Sequence, residues 1–240
     1  LFYLKDNSAL VTAILLTVSL PPTIGLLKIF VGVTFAIVIA KHLYGGLGHN
    51  IFNPAMVGFI VLLIAFPQEF THWSTTLNEM SGIDSFSQPT PLDPAFALNQ
   101  SLDSSYLMPY YLINLAWLLG GLYLLLKKLI PLALSLGFIL GILITSLIFT
   151  FSDYQTFNPL QQLLLGGSML GAFFIITDPV TAATTPPGRW IYSFLAGCFC
   201  ILIRDFCGYP DGVAFAIIFM NTWVPLINKL TIKPAFGIKR

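Results

Sequence analysis

Four short stretches of the 240-residue sequence carry residue types that could do chemistry. The first, YGGLGHNIFNPAM (44–56), sets Gly45, Gly46 and Gly48 ahead of Asn50 and Asn53. Glycines allow a tight backbone and close approach to a ligand. The two Asn side chains offer amide donors and acceptors of the kind that match the uracil-like edge of a flavin. Asn53 also precedes Pro54, the cap-then-proline pattern of a helix start. A glycine-rich reverse turn with a capping Asn explains the same residues without any ligand. No βαβ context surrounds them, so this is not a dinucleotide fingerprint.

The second stretch, TDPVTAATTPPGRW (177–190), ends an apolar segment on Asp178 and breaks it at Pro179. A carboxylate near a membrane interior could bind a cation, relay a proton or hydrogen-bond a cofactor; a helix-breaking surface turn is the structural alternative. Thr181, Thr184 and Thr185 supply hydroxyls. The third stretch, IRDFCGYPDGVAF (203–215), places Arg204 and Asp205 beside a helix start at Pro210-Asp211-Gly212. Asp211 in a first helical turn would be favoured by the helix dipole. Arg204 could pair with Asp205 or with an anionic group such as a phosphate. The fourth, SGIDSFSQPTPLDP (81–94), is polar where its flanks are apolar. A hydroxyl can carry a phosphoester, and Pro89 and Pro91 would hold Thr90 rigid and exposed, although a lone loop Thr announces no chemistry. Cys198, Cys200 and Cys207 read as small apolar residues of a membrane helix rather than a metal or disulfide set.

The elements that position these stretches must sit in lipid. Of all residues 56% are hydrophobic and 9% charged, against about 25% charged in a soluble domain. A net charge of +1 argues against a nucleic-acid partner. Eight apolar segments are expected, at about 8–20, 28–42, 54–66, 112–126, 131–150, 163–177, 190–203 and 212–227. Several fall short of the roughly 20 residues of a full crossing and are bounded by proline, which suggests broken helices around a buried site. If every segment crosses and the C-terminus is cytoplasmic, nine of the eleven basic residues, all but Lys28 and Arg204, fall inside. Residues 67–111 then face outward, Lys41 falls among the basic residues inside, and Arg189 reads as a cytoplasmic anchor. SALVTAILLTVSLP (8–21) aligns weakly with SMLGAFFIITDP (168–179), and NPAMVGF (53–59) with YPDGVAF (209–215). The aligned segments would run in opposite directions, as in an inverted repeat. The expected architecture is an all-α polytopic helix bundle forming one membrane domain over 1–240. Its parts are a first half (1–66), an outer loop (67–111), connecting helices (112–150) and a second half (151–240). Leu1 in place of Met, with no signal peptide, suggests that a longer protein precedes it.

Taken together, LKDNSALVTAILLTVSLPP, AKHLYGGLGHNIFNPAMVG, SQPTPLD, GAFFIITDPVTAATT and GYPDGVAFAIIFMN resemble the D subunits of Rnf-type ion-translocating electron-transport complexes. The B subunits of sodium-translocating NADH:quinone reductases are close relatives. The resemblance runs from Lys5 to the C-terminus. It implies an inverted-repeat fold like that of urea and ammonium transporters, in the bacterial inner membrane, within a multi-subunit complex. It further implies FMN joined through its phosphate to Thr90 in the motif Ser87-Gln88-Pro89-Thr90, where Pro89 replaces the usual Ala. Riboflavin held noncovalently near Gly45, Gly46, Gly48, Asn50 and Asn53 is implied as well. Asp178 matches an acidic residue of the ion path, while two further acidic positions of the family fall on Asn7 and Asn228. The function expected from the resemblance is electron relay through flavins coupled to Na⁺ or H⁺ movement. The chain would be part of a ferredoxin/NAD or NADH:quinone oxidoreductase, with no independent catalytic site. The rival expectation, from the repeat alone, is a channel for a small neutral solute of the urea or ammonium type.

Overall fold

The structure, a computed structural model, describes residues 7–70, 92, 104–152, 157–207, 209 and 211–233, with side chains of the helix at 104 described from 107 onward. Among these residues all regular structure is helical. In chain order the helices are α1 (Ser8–Ser19), α2 (Leu26–Thr34), α3 (Pro54–Ala65), α4 (Pro67–Phe70) and α5 (Ser104–Leu126). They continue with α6 (Leu132–Phe151), α7 (Pro159–Leu164), α8 (Ser168–Leu170), α9 (Pro186–Phe206) and α10 (Val213–Thr231). Two of them run on as π-helix, α2 through Phe35–His42 and α8 through Gly171–Ile175.

Among the described residues, four helices are long and apolar enough to cross a membrane: Leu107–Leu126, Leu132–Phe151, Pro186–Phe206 and Val213–Thr231. Their outward faces carry exposed Leu112, Leu119, Leu126, Ile148 and Trp223, a surface that suits lipid rather than water. The protein is therefore an all-α, multi-pass membrane protein. α1 and α3 have 12 residues each. At 1.5 Å per residue each rises about 18 Å, little more than half of a 30 Å hydrocarbon core.

Three helix starts share one local solution. Asn53 caps α3, Asn158 caps α7 and Thr185 caps α9, each side-chain oxygen accepting a backbone N–H three residues on. A proline follows each cap at the first helical position, where its missing N–H costs nothing. The expected cap-and-proline start at 53–54 is thus present. The expected start at Pro210 is not: α10 begins at Val213 after Gly212. Asp211 precedes the helix, so the first-turn dipole role does not apply.

α6 and α9 run parallel and touch through small residues. A Cβ on Gly141 would lie 2.2 Å from the Phe194 carbonyl oxygen, and one on Gly197 would lie 2.3 Å from that of Phe138. Backbones this close give van der Waals contact and leave no room for a side chain, the usual membrane-helix device. Because the two helices are parallel, their starts share one end of the bundle and their C-termini the other. Phe149 and Phe206 meet at that second end, 5.6 Å between ring centroids.

Candidate functional site

The glycine loop is built by the end of the π-helix after α2. Leu43 N–H donates to Val38 O at 2.9 Å and Gly46 N–H to Lys41 O at 3.0 Å, both five-residue steps. The chain then turns through Gly45, Gly46 and Gly48, with φ of 113°, 88° and 86°. Side chains at these angles would be strained, so glycine is required here by the backbone itself. The turn delivers Asn50 and Asn53, both of which are buried.

Asn53 is a structural junction. Its backbone N–H donates to Asn221 Oδ1 at 3.1 Å, its Nδ2 donates to Ile175 O at 3.3 Å, and its Oδ1 accepts the Met56 N–H at 3.2 Å. Asn221 in turn donates to Thr181 O at 3.2 Å and to the Tyr192 hydroxyl oxygen at 2.9 Å. Asn221 lies near the centre of α10, so the start of α3 and the turn around Thr181 both sit at mid-depth. α3 is a half-helix rather than a crossing, in keeping with its proline-bounded length.

Asp178 follows the second π-helical segment. Its Oδ1 accepts the Val180 N–H at 3.1 Å and its Oδ2 the Thr181 hydroxyl at 3.0 Å. These bonds fix the carboxylate at the start of the 178–185 turn. Lys41, at the end of the first π-helical segment, is buried at 3% exposure and donates from Nζ to Ser8 Oγ.

These pieces border a partly open cavity of about 370 Å³. Ser8, Thr12, Lys41, Asn50, Thr177 and Asp178 give its wall polar groups. Phe173, Phe174, Leu15, Leu47, Leu124 and Ile130 make the remainder mostly apolar. The volume is within the range of small-molecule sites, and a mostly apolar wall with a few placed polar groups is their usual character. Asn50 donates one amide hydrogen to Phe52 O at 3.1 Å, and its Oδ1 accepts no hydrogen bond from the described residues. The donor set, with two phenyl rings and an amide beside them, fits a flat aromatic ligand that has one hydrogen-bonding edge. Leu124 and Ile130 put the cavity toward the end of the bundle where α5 joins α6.

The opposite end holds a second buried cation. Arg204 Nη1 donates to Gln162 O at 2.8 Å and to Gln162 Oε1 at 3.1 Å, and Nη2 donates to Ser168 Oγ at 2.9 Å. Its ion-pair contact is with Asp211, 3.7 Å away, rather than with Asp205. Leu92 is buried beside Gly166 at this end, packed with Leu107, Phe157 and Leu165.

The structure thus joins the glycine loop and Asp178, read separately in the sequence, in one cavity. Asn53 borders it with its amide spent on the fold. Thr90 and Ser87 lie outside the described residues. Asn7 caps α1 without a side-chain bond, and Asn228 accepts the Thr184 N–H at 3.0 Å. Arg189 donates to Ala183 O at 3.3 Å. Cys198, Cys200 and Cys207 are free thiols. Sequence reasoning missed Lys41, Ser8, Phe173 and Phe174 as cavity residues. Lys41 directly before a glycine turn is the available signal, hidden because a lysine ending an apolar run reads as an interfacial anchor.

The profile of the NQR2, RnfD, RnfE family matches residues 1–237. The D subunit of the ion-translocating oxidoreductase complex of Klebsiella pneumoniae (strain 342) is 42% identical over 98% of this chain and 79% of its own length. The protein of the same name from Alcanivorax borkumensis is 43% identical over 99% of this chain and 78% of its own. That of Escherichia coli O17:K52:H18 is 42% identical over 99% and 79%.

Proposed function

Since the chain belongs to the NQR2, RnfD, RnfE family, we propose that this membrane component of an ion-translocating oxidoreductase complex relays electrons between two flavins. Riboflavin occupies the cavity between the glycine loop and Asp178, and FMN is joined through its phosphate to Thr90, with Ser87 part of the attachment motif. Electron passage is coupled to Na⁺ or H⁺ movement, with Asp178 on the ion path. The protein resides in the bacterial inner membrane, its C-terminus cytoplasmic and residues 67–111 outside, in contact with lipid and the other subunits of the complex.

The observation that carries this reading is the cavity itself, which gathers Asn50, Asp178 and two phenyl rings on one wall system. Bound flavin supplies one-electron chemistry; the chain supplies position, exclusion of water and local charge. Asn50 offers the hydrogen-bonding edge, and the glycine turn sets its height in the membrane. Asn53 holds that turn to α10 through Asn221. Asp178, immobilised by Val180 and Thr181, presents a fixed carboxylate where a cation would be stabilised.

Denaturing the purified complex tests the reading. One riboflavin per chain should be released, while FMN stays on the peptide containing Thr90. Thr90→Ala should remove the covalent flavin and leave the released one unchanged. A colourless protein, or covalent FMN persisting in Thr90→Ala, contradicts the assignment.

A further inference from the structure

We propose that Gly120 of α5 sets the width of the cavity and so its fit to a flat three-ring ligand: its missing side chain seats the Phe174 ring, which a larger residue would push into the ligand's space. This inference rests on the riboflavin reading above and adds to it a residue that governs the fit without lining the cavity.

Two glycines stand side by side inside α5, at 120 and 121, in a helix of 23 residues. Glycine is the poorest helix former after proline, so a pair of them in a helix interior calls for a packing reason. Between α6 and α9 the reason is backbone contact, since Gly141 and Gly197 each meet a carbonyl oxygen of the other helix. In α5 the neighbours are two phenyl rings. A Cβ on Gly121 would lie 2.1 Å from Phe173 Cγ and 2.7 Å from Phe173 Cβ, and one on Gly120 would lie 3.2 Å from Phe174 Cζ. Both rings line the cavity, to which α5 itself contributes Leu124.

The two positions differ in what can give way. At Gly121 the obstruction is the root of the Phe173 side chain, fixed to the backbone of the π-helical Gly171–Ile175 segment. A side chain there would push α5 off that segment. At Gly120 the obstruction is the tip of Phe174, the far end of a side chain that can turn about its bonds. Trp117, one turn earlier on α5, meets the same ring edge to face, with 5.3 Å between centroids and 70° between planes. α5 thus bounds Phe174 at its tip and along one side, and the cavity is the space left for it to enter. Outside its own helix, a Cβ at position 120 meets no atom within 4 Å other than Phe174 Cζ and Cε2. An added methyl therefore acts on that ring alone. Packed sites feel a change of a single methylene, and a ring displaced toward the ligand takes up part of its room.

The test is the dissociation constant of the dissociable flavin in the intact, membrane-purified complex. Gly120→Ala should raise it at least tenfold, with the covalent flavin unchanged. The midpoint of thermal unfolding should equal that of the wild type or exceed it, because alanine is the better helix former. Weaker binding without weaker folding is a signature that a merely structural glycine would not give. Phe174→Leu removes the ring tip, so adding Gly120→Ala to it should change the constant less than twofold, as expected for residues coupled by contact. A Gly120→Ala constant within twofold of the wild type overturns the proposal. So does a tenfold effect that persists in the Phe174→Leu background, or a loss of flavin that only follows a loss of stability. Should Gly120→Ala fail to assemble, the double variant decides. Assembly restored, with the affinity of Phe174→Leu, supports the proposal, and a second failure overturns it. Wild-type complex without any dissociable flavin overturns the riboflavin reading itself. That outcome is distinct from loaded protein whose affinity ignores position 120.

Discussion

Lys41 and Arg204 are both buried cations, 3% and 5% exposed, at different depths in one bundle. Arg204 is engaged by protein oxygens: two from Gln162 and one from Ser168, with Asp211 alongside. Its guanidinium fork ties α9 to α7 and α8, and charge-assisted bonds of this kind are the strong ones. Lys41 donates to Ser8 and borders a cavity that also contains Asp178. A cation consumed by the fold is part of the scaffold. Lys41, by contrast, stands in the wall of a cavity that Asp178 also borders.

The largest effect expected from this contrast is at the scaffold end. Arg204→Leu strands the buried Gln162 and Ser168 oxygens, at about 1–3 kcal/mol for each buried group left without its partner, and leaves Asp211 without its cation. The denaturation midpoint should fall accordingly, while dissociable flavin per folded chain stays constant. Loss of flavin at unchanged stability would dissolve the contrast. At the cavity end, Asn50→Leu removes a polar edge that the fold uses only for Phe52 O. An unpaired ligand group costs about 1–3 kcal/mol, so the dissociation constant of the released flavin should rise roughly tenfold to a hundredfold, with little change in the midpoint of unfolding. Equal damage to both would return the glycine loop to a structural turn. The smallest structural change is Asp178→Asn, which preserves shape and the bond from the Val180 N–H, while its amide nitrogen would donate to the Thr181 hydroxyl instead of accepting from it. Ion transport by reconstituted complex should then fall more than flavin content does; parallel loss of the two would assign Asp178 to folding.

Sequence and structure agree where local rules dominate. The apolar runs that become α5, α6, α9 and α10 and the Asn53–Pro54 cap follow from hydropathy and capping. Other features depend on contacts between distant residues. Asn53 looks like a ligand for a cofactor until Asn221, 168 positions away, is found holding its backbone. Lys41 looks like an interfacial anchor because one-dimensional charge counting has no depth coordinate. The π-helical turn that aims it inward leaves no periodic signature. Asp211 reads as helical because of the proline before it, but α10 waits for Gly212 and Val213. The meeting of the glycine loop with Asp178 is illegible in spacing, since 128 positions separate Asn50 from Asp178.

The central claim, that the cavity beside Lys41 and Asp178 holds a flavin, is tested most directly by an experimental density map of the intact, membrane-purified complex. The account predicts flat, three-ring density in the space bordered by Phe173, Phe174 and Asn50, with one edge toward the Asn50 amide. Density for a lipid chain, or for solvent alone, in a complex that demonstrably retains its dissociable flavin elsewhere would contradict it.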